Sequence, residues 1–291
     1  MTVVGVARNA PPCLALDIGA TKVEAALVGR DGTLHERERI LVAEYDEDLI
    51  GAILALARRV MRASSVTVVG VGCAGPMTLG GEEVSPLNIP SWRNFPLRSS
   101  LRDGLGLDVF VEGDARALAL AEGSFGAAVG ERSYLSMVVS TGVGGGLVID
   151  GRLLNGDSGN AGHIGHLNVV TNGAICSCGA YGCLEAEASG WAIETRTGRS
   201  ASEADQATRQ RTAELVGRAV GTLASVLDFN HCYVAGSVAL GFGDEFFEIA
   251  NKSAGTMAML HYSEHLEIHR SGLGVDGPLL GAALVAWRGA S

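Results

Sequence analysis

Twice along this chain, two apolar strand-like runs joined at a glycine turn are followed by a helix and then by an apolar strand entering a glycine loop. The first instance is "CLALDIGATKVEAALVGRDGTLHERERI" (Cys13–Ile40), which reads as three antiparallel strands with Asp31-Gly32 as a hairpin turn. Helical periodicity follows from Asp46 to Met61, and "VTVVGVGCAG" from Val66 has the unbroken apolar character of a buried parallel strand. The second instance opens with "YLSMVVSTGVGGGLVIDGRLL" and continues with a long helix over Ser202–Phe229. It ends on "CYVAGSVALG", which echoes the earlier strand and glycine loop. A pattern that repeats in this order predicts two similar α/β halves facing a cleft.

The remaining segments fit that plan. Gly80–Pro96 reads as a loop, and "DVFVEGDARALALAEGSFGAAV" as a short strand, a break at Gly113 and a helix from Asp114. A helix over Asp244–Met257, a strand at "LEIHR" and a closing helix over Asp276–Trp287 complete the chain. The predicted division is a small N-terminal domain, 1–114 with the C-terminal helix 276–291, and a larger domain, 115–275, with a histidine- and cysteine-bearing loop at 166–183.

Composition narrows the function class. The formal charge of −10, from 22 Lys+Arg against 32 Asp+Glu, argues against binding nucleic acid or an anionic membrane, since both reward a cationic surface. No apolar run approaches the roughly 20 residues of a membrane span. The opening "MTVVGVARNAPPC" lacks a basic segment before a continuous apolar one, so no secretory signal is expected and the reading is cytoplasmic. Glycine is the outlier: 41 of 291 residues, about twice the usual share.

Two glycine turns, "DIGATK" (Asp17–Lys22) and "STGVGGG" (Ser140–Gly146), stand between two strands. Walker and dinucleotide loops instead lead straight into a helix. A tight hairpin can still offer backbone N–H groups and a hydroxyl to phosphate oxygens. Lys22 can add charge, and Asp17 can hold a hydrated Mg²⁺. A third turn, "VAGSVALG", stands at a strand end, where a nucleoside can sit. Asp114, at a strand-to-helix corner, is either a helix N-cap or a base that takes a hydroxyl proton during phosphoryl transfer.

The stretch "AGHIGH" (Ala161–His166) opens a ligand series, H-x9-C-x-C-x4-C, through His166, Cys176, Cys178 and Cys183. Free buried thiols are one reading. A closed Cys3His zinc site is the other, and three cysteines within eight residues beside a histidine favour it. Such a site leaves no open coordination position, so the metal would be structural, fixing where Glu185 points.

"LALDIGATK", "EGDARALALAEG", "STGVGGG", "AGHIGH" with "CSCGAYGCLEAEASG", and "AGSVAL" occur in the order of the ROK family of sugar kinases, which this chain resembles over essentially its whole length. The resemblance implies two ribonuclease-H-like domains of the actin/hexokinase type around a cleft that binds ATP and sugar, a homodimer, ATP with Mg²⁺, and structural Zn²⁺. It implies Asp114 as the base at the sugar 6-hydroxyl. Gly75, Asn88, Gly113, His163, His166 and Glu185 fall at sugar positions. Asp17, Gly19, Ala20, Thr21, Lys22, Thr141, Gly142, Gly236 and Ser237 fall at ATP positions, with Asp17 near Mg²⁺.

The chain departs from the family pattern at Ala20 (for glycine), at Gly113 (for asparagine) and at His163 (for the glutamate of hexose-specific members). Replacing an acceptor-only carboxylate by an imidazole, which offers a donor, suits an N-acetyl carbonyl. The "AGHIGH" form, "GSVAL" and the chain's ending resemble the family's N-acetylmannosamine kinases more than its glucokinases. ATP-dependent 6-phosphorylation of N-acetyl-D-mannosamine, toward sialic acid breakdown, is therefore expected. A glucokinase or broad hexose kinase is the alternative, and Gly113 also leaves open a sugar-binding regulator without turnover. Family repressors carry a DNA-binding domain before the first strand. Asp17 stands too near the start for one, so a repressor is not expected.

Overall fold

The computed structural model describes residues 11–45 and 48–290. The opening stretch read for a targeting signal, apart from its last residues, and Asp46, where the first helix was expected to begin, lie outside the described residues.

The chain divides into two compact units. The first comprises 1–125, 155–161 and 275–291; the second comprises 126–154 and 162–274. The sequence reading divides the chain at Asp114, whereas the helix beginning there stands in the first unit.

In the first unit, β1 (Cys13–Ile18), β2 (Lys22–Val28) and β3 (Leu34–Leu41) form an antiparallel meander, followed by α1 (Leu49–Met61) and β4 (Val68–Cys73). Then come α2 (Leu97–Leu105), β5 (Asp108–Gly113) and α3 (Asp114–Phe125). The sheet order is β3-β2-β1-β4-β5, with β1, β4 and β5 parallel. Every residue of β4 is buried, as its unbroken apolar run requires, while the edge strand β3 (LHERERIL) is charged and largely exposed, which blunts edge-to-edge pairing. The Asp31-Gly32 turn is present, with Thr33 N–H donating to Asp31 Oδ1 at 3.0 Å. Asp48 caps α1 by accepting from Gly51 N–H at 3.0 Å.

The second unit contains β6 (Tyr134–Val139), β7 (Val143–Ile149), β8 (Arg152–Leu153), α4 (Leu184–Ala188), α5 (Gly190–Thr197) and α6 (Gln206–Leu227). It continues with β9 (His231–Ala235), α7 (Ser237–Gly241), α8 (Asp244–Met257) and β10 (Glu267–Arg270). The chain then returns to the first unit as α9 (Gly277–Gly289). The second sheet runs β10-β9-β6-β7-β8, with β6–β7 and β7–β8 antiparallel and β6–β9 and β9–β10 parallel. Taken from its other edge, this is the strand order of the first sheet, so both units have the ribonuclease-H-like topology.

Each unit has its own apolar core. Leu14, Leu16, Ile53, Val71, Leu101 and Val111 build the first, and Leu135, Met137, Val216, Phe229, Val234 and Phe246 build the second. The long helix expected over Ser202–Phe229 begins later, because Asp205 caps α6 by accepting from Thr208 N–H at 2.8 Å. Residues Ala201–Glu203 form a separate 3-10 turn.

Candidate active site

In a parallel sheet, ligands gather at the carboxyl ends of the strands, and the first unit places its acids there. Asp17 lies on β1 opposite Gly72 of β4, and Gly72 lies opposite Glu112 of β5, one residue short of the Gly113-Asp114 corner. A Cβ at Gly72 would stand 3.7 Å from Asp17 Oδ1 and 3.6 Å from Asp114 Cα. The bare glycine is what keeps the space between the two acids open.

Burial, reinforced by the negative charges of Asp114 and Glu24, raises the Asp17 carboxyl to about 7, against opposing pulls from Lys22 and Arg37. Asp114 is the first residue of α3, and its Oδ1 accepts from Ala115 N–H at 2.7 Å. The helix-start and catalytic readings of that residue are therefore compatible.

The turn after β1 is closed by Gly19 N–H donating to the Lys22 carbonyl at 3.0 Å, which leaves Thr21 exposed at its tip. Lys22 pairs with the buried Glu24, which Arg37 also holds at 2.9 Å. The lysine charge is thus tethered beside the turn. Gly75 forms a cis peptide with Pro76 beyond β4. Asn88 is exposed in the following loop, which Arg93 braces through the carbonyls of Pro86, Ile89 and Trp92.

Two residues near this site, Arg116 and Asn160, have roles that the sequence does not show. Arg116, 5% exposed, is clamped by Glu112 at 2.7 Å and 3.1 Å. It also donates to Asn155 Oδ1 at 2.7 Å and to the Ala161 carbonyl at 2.8 Å. Asn160 pairs with both backbone groups of Met77, at 3.1 Å and 2.8 Å. Together they dock 155–161, the segment leading into "AGHIGH", onto the first unit. A Cβ at Gly113 would lie 3.2 Å from Arg116 Cδ, so the missing asparagine leaves room for the arginine.

In the second unit the corresponding turn, Ser140-Thr141-Gly142, is closed by Ser140 N–H donating to the Gly142 carbonyl at 2.9 Å. The start of α5 secures it, Gly190 N–H and Trp191 N–H donating to the Ser140 and Thr141 carbonyls at 2.7 Å and 3.2 Å. Ser237, at the start of α7, has its Oγ 3.0 Å from that of Ser140, so these two expected ATP-side segments meet. Glu185 Oε2 accepts from Val143 N–H at 2.9 Å, which fixes one carboxylate oxygen beside the same turn. The stretch after Gly236 is the short helix α7, where the sequence suggested a loop.

"AGHIGH" lies flat on β7. A Cβ on Gly162 would stand 2.5 Å from the Gly145 carbonyl oxygen, and one on Gly165 2.2 Å from that of Val143. Neither position has room for a side chain. Ile164 between them is buried, His163 is exposed and His166 is half-buried. The two imidazoles stack with centroids 6.0 Å apart.

His166, Cys176, Cys178 and Cys183 converge, each offering one ligand atom within 4.8 Å of the others. Cys176 Sγ lies 3.5 Å from His166 Nδ1, and Cys178 Sγ lies 3.8 Å from Cys183 Sγ. Ligands about 2.3 Å (S) and 2.0–2.1 Å (N) from a tetrahedral zinc would be about 3.8 Å and 3.6 Å apart. The donor set and its spacing fit zinc. The Ala180 N–H beside Cys178 holds that thiol below its ordinary range, while burial pushes Cys183 up to about 12. Glu187, unmarked in sequence, ties the loop down: its carboxylate accepts from Ala174 N–H and from Arg211 of α6, both at 2.6 Å.

Two units with this strand order and this arrangement of turns define the ribonuclease-H-like sugar-kinase architecture expected from the sequence. Residues 13–288 match the model of the ROK family, to which this chain belongs. It is 32% identical to an N-acetylmannosamine kinase of Pasteurella multocida, over 93% of this chain and 95% of that protein. It is also 32% identical to a glucokinase of Streptomyces coelicolor, over 72% of this chain and 65% of that protein. The crystal structure of a ROK family glucokinase from Streptomyces griseus, in complex with glucose and AMPPNP, superposes with a TM-score of 0.85. That likeness is at 28% identity and covers 95% of this chain and 99% of that one. Among the described residues no helix is long and apolar enough to cross a membrane.

Proposed function

We propose that this chain phosphorylates N-acetyl-D-mannosamine at its 6-hydroxyl with ATP. Membership of the ROK family and the likeness to an N-acetylmannosamine kinase and to glucokinases support sugar kinase activity, and the choice of sugar rests on His163. Asp114 acts as general base, accepting the 6-hydroxyl proton as that oxygen attacks the γ-phosphorus, while the bond to the ATP leaving oxygen breaks. Thr21 and Lys22, with Thr141 and Gly142, position phosphate oxygens, and Gly236 and Ser237 border the nucleoside. Gly19 and Ala20 shape the first turn. Asp17 would hold Mg²⁺, which when bound would neutralise phosphate charge.

Gly75, Asn88, Gly113, His166 and Glu185 contact the sugar, and His163 sets the preference by offering a ring N–H to the N-acetyl carbonyl. His166, Cys176, Cys178 and Cys183 would hold Zn²⁺, which when bound would stiffen the loop that presents the two histidines and Glu185. The working form is a homodimer, as light scattering of the purified protein would register.

The observation that carries this reading is the pair Asp17 and Asp114 flanking Gly72 at the carboxyl ends of three parallel strands. Its test is kcat/KM for N-acetylmannosamine, glucose, N-acetylglucosamine and fructose with ATP. N-acetylmannosamine should lead. A tenfold or greater preference for glucose replaces it with the hexose-kinase reading, and no phosphorylation of any sugar sinks both.

A further inference from the structure

The strands β9 and β10 carry a second convergence of ligand-type side chains, distinct from the cysteine cluster: His231, Glu267 and His269. In the parallel register His231 stands beside Glu267 and Tyr233 beside His269, so residues two apart on each strand share a face. The rings form one stacked group. The His231 and His269 centroids are 5.6 Å apart, and Tyr233, 4% exposed, lies 5.6 Å from His269 and 6.4 Å from His231.

Three distances decide what this group can do. His231 Nδ1 and His269 Nε2 face each other at 3.4 Å. That is longer than the usual ~2.7–3.2 Å of an N–H hydrogen bond. It equals the edge of about 3.4 Å between two nitrogens bound about 2.0–2.1 Å from one tetrahedral metal. Glu267 Oε2 lies 3.2 Å from the same His269 Nε2, again the edge expected between neighbouring ligand atoms. Glu131 Oε1, from the segment before β6, lies 3.7 Å from His231 Nε2, the ring nitrogen turned away from His269. That is longer than a hydrogen bond, so Glu131 acts on the ring through its charge, favouring the tautomer that carries its proton on Nε2 and leaves Nδ1 for a metal. Two carboxylates, Glu267 beside His269 and Glu131 behind His231, also balance the charge of a divalent cation.

We propose that His231, His269 and Glu267 form a second metal site, for a divalent transition-metal cation, with Glu131 positioning His231. The mixed imidazole and carboxylate donors select Zn²⁺, Ni²⁺ or Cu²⁺ over Mg²⁺. Three protein ligands leave a coordination position open, and the Glu267 side chain is 63% exposed. This site therefore exchanges its ion with solvent, unlike the closed cysteine site.

The test is titration of tag-free, full-length protein with Zn²⁺ in competition with a chromophoric chelator. The wild type should bind one equivalent beyond those of a His269→Ala variant. His231→Ala should lose the same equivalent, Glu131→Gln should weaken it about tenfold, and His265→Ala, outside the cluster, should keep it. Equal stoichiometry and affinity in wild type and His269→Ala would overturn the proposal, as would loss of the equivalent in His265→Ala. A second reading needs no variant: Cu²⁺ bound to the wild type should show electron-paramagnetic coupling to two nitrogens, and its absence rejects the site.

Discussion

The two units repeat one strand order but differ in what they place at the strand ends and between the elements. In the first, the end of β1 and the start of α3 present carboxylates, Asp17 and Asp114. In the second, the turn after β6 and the start of α7 present hydroxyls, Thr141 and Ser237. The first unit crosses from β3 to α1 in a few residues. Between β8 and α6 the chain first passes through 155–161, which belong to the first unit, and the second unit then carries the insertion 162–205, which holds Gly162–His166 of "AGHIGH", the cysteine cluster, α4 and α5. Topology is shared because it follows from apolar patterning; chemistry is not, because it resides in strand-end residues and in one insertion.

If the first unit holds the proton-transfer chemistry, the largest effect belongs to Asp114. Asp114→Asn should lower kcat by about 10²–10⁴, the range for a lost general base, with sugar affinity kept within about threefold. Single-turnover assays and calorimetric sugar binding check both. Equal losses of kcat and affinity would make the residue a binding group.

The insertion's cysteines should separate from the buried cysteines elsewhere. Cys178→Ser, at an exposed position, should remove near-stoichiometric zinc and lower the melting temperature by several degrees, since a structural metal contributes folding free energy. Cys13→Ser, in β1, should leave metal content unchanged. Elemental analysis beside thermal melts makes the distinction, and loss of zinc in neither variant removes the metal from this loop.

The same comparison explains how far the sequence could be read. The strands were legible because β1, β4, β6 and β9 are apolar runs that end at glycines, and Cys176–Cys183 was legible because metal ligands cluster locally. The helix α2 was not: only Leu97 and Leu101 are buried on it, too short a period to stand out, although Gly106 marks its end. α4 and α5 were hidden because a single residue, Ser189, ends one and caps the other. Arg116 and Glu187 lie inside the "EGDARALALAEG" and "CSCGAYGCLEAEASG" runs, but the partners that give them and Asn160 their roles, Asn155 and Ala161, Ala174 and Arg211, and Met77, stand 13 to 83 residues away. The docking of 155–161 on the first unit, in the middle of the second unit's sequence, had no local signal either.

His163 tests whether the insertion also sets the sugar. His163→Glu should move the ratio of kcat/KM for glucose over N-acetylmannosamine upward by about tenfold, the weight of one hydrogen bond of about 1.4 kcal/mol. An unchanged ratio, with the protein folded and active, would make His163 a bystander on the face of β7.

Asp17 gives the first unit a pH dependence of its own. An unfolded aspartate titrates near 3.8, while folded Asp17 holds its proton to about 7 because it is buried beside Asp114. Below the lower value both states are protonated and Asp17 has no influence. Between the two, the folded state keeps a proton that the unfolded state has released, so raising the pH removes stability until the folded carboxyl ionises near 7; above that the penalty is constant. Asp17→Asn has no such proton to lose. Its unfolding free energy, followed by denaturant melts from pH 4 to 8, should therefore fall less steeply than that of the wild type between 4 and 7. A His163→Glu control in the second unit should keep the wild-type slope over the upper part of that range, where an exposed glutamate is already ionised. Parallel curves for wild type and Asp17→Asn would show that the Asp17–Asp114 proximity stores no charge repulsion, and that the acidic corner is no different electrostatically from the hydroxyl-lined turn of the second unit.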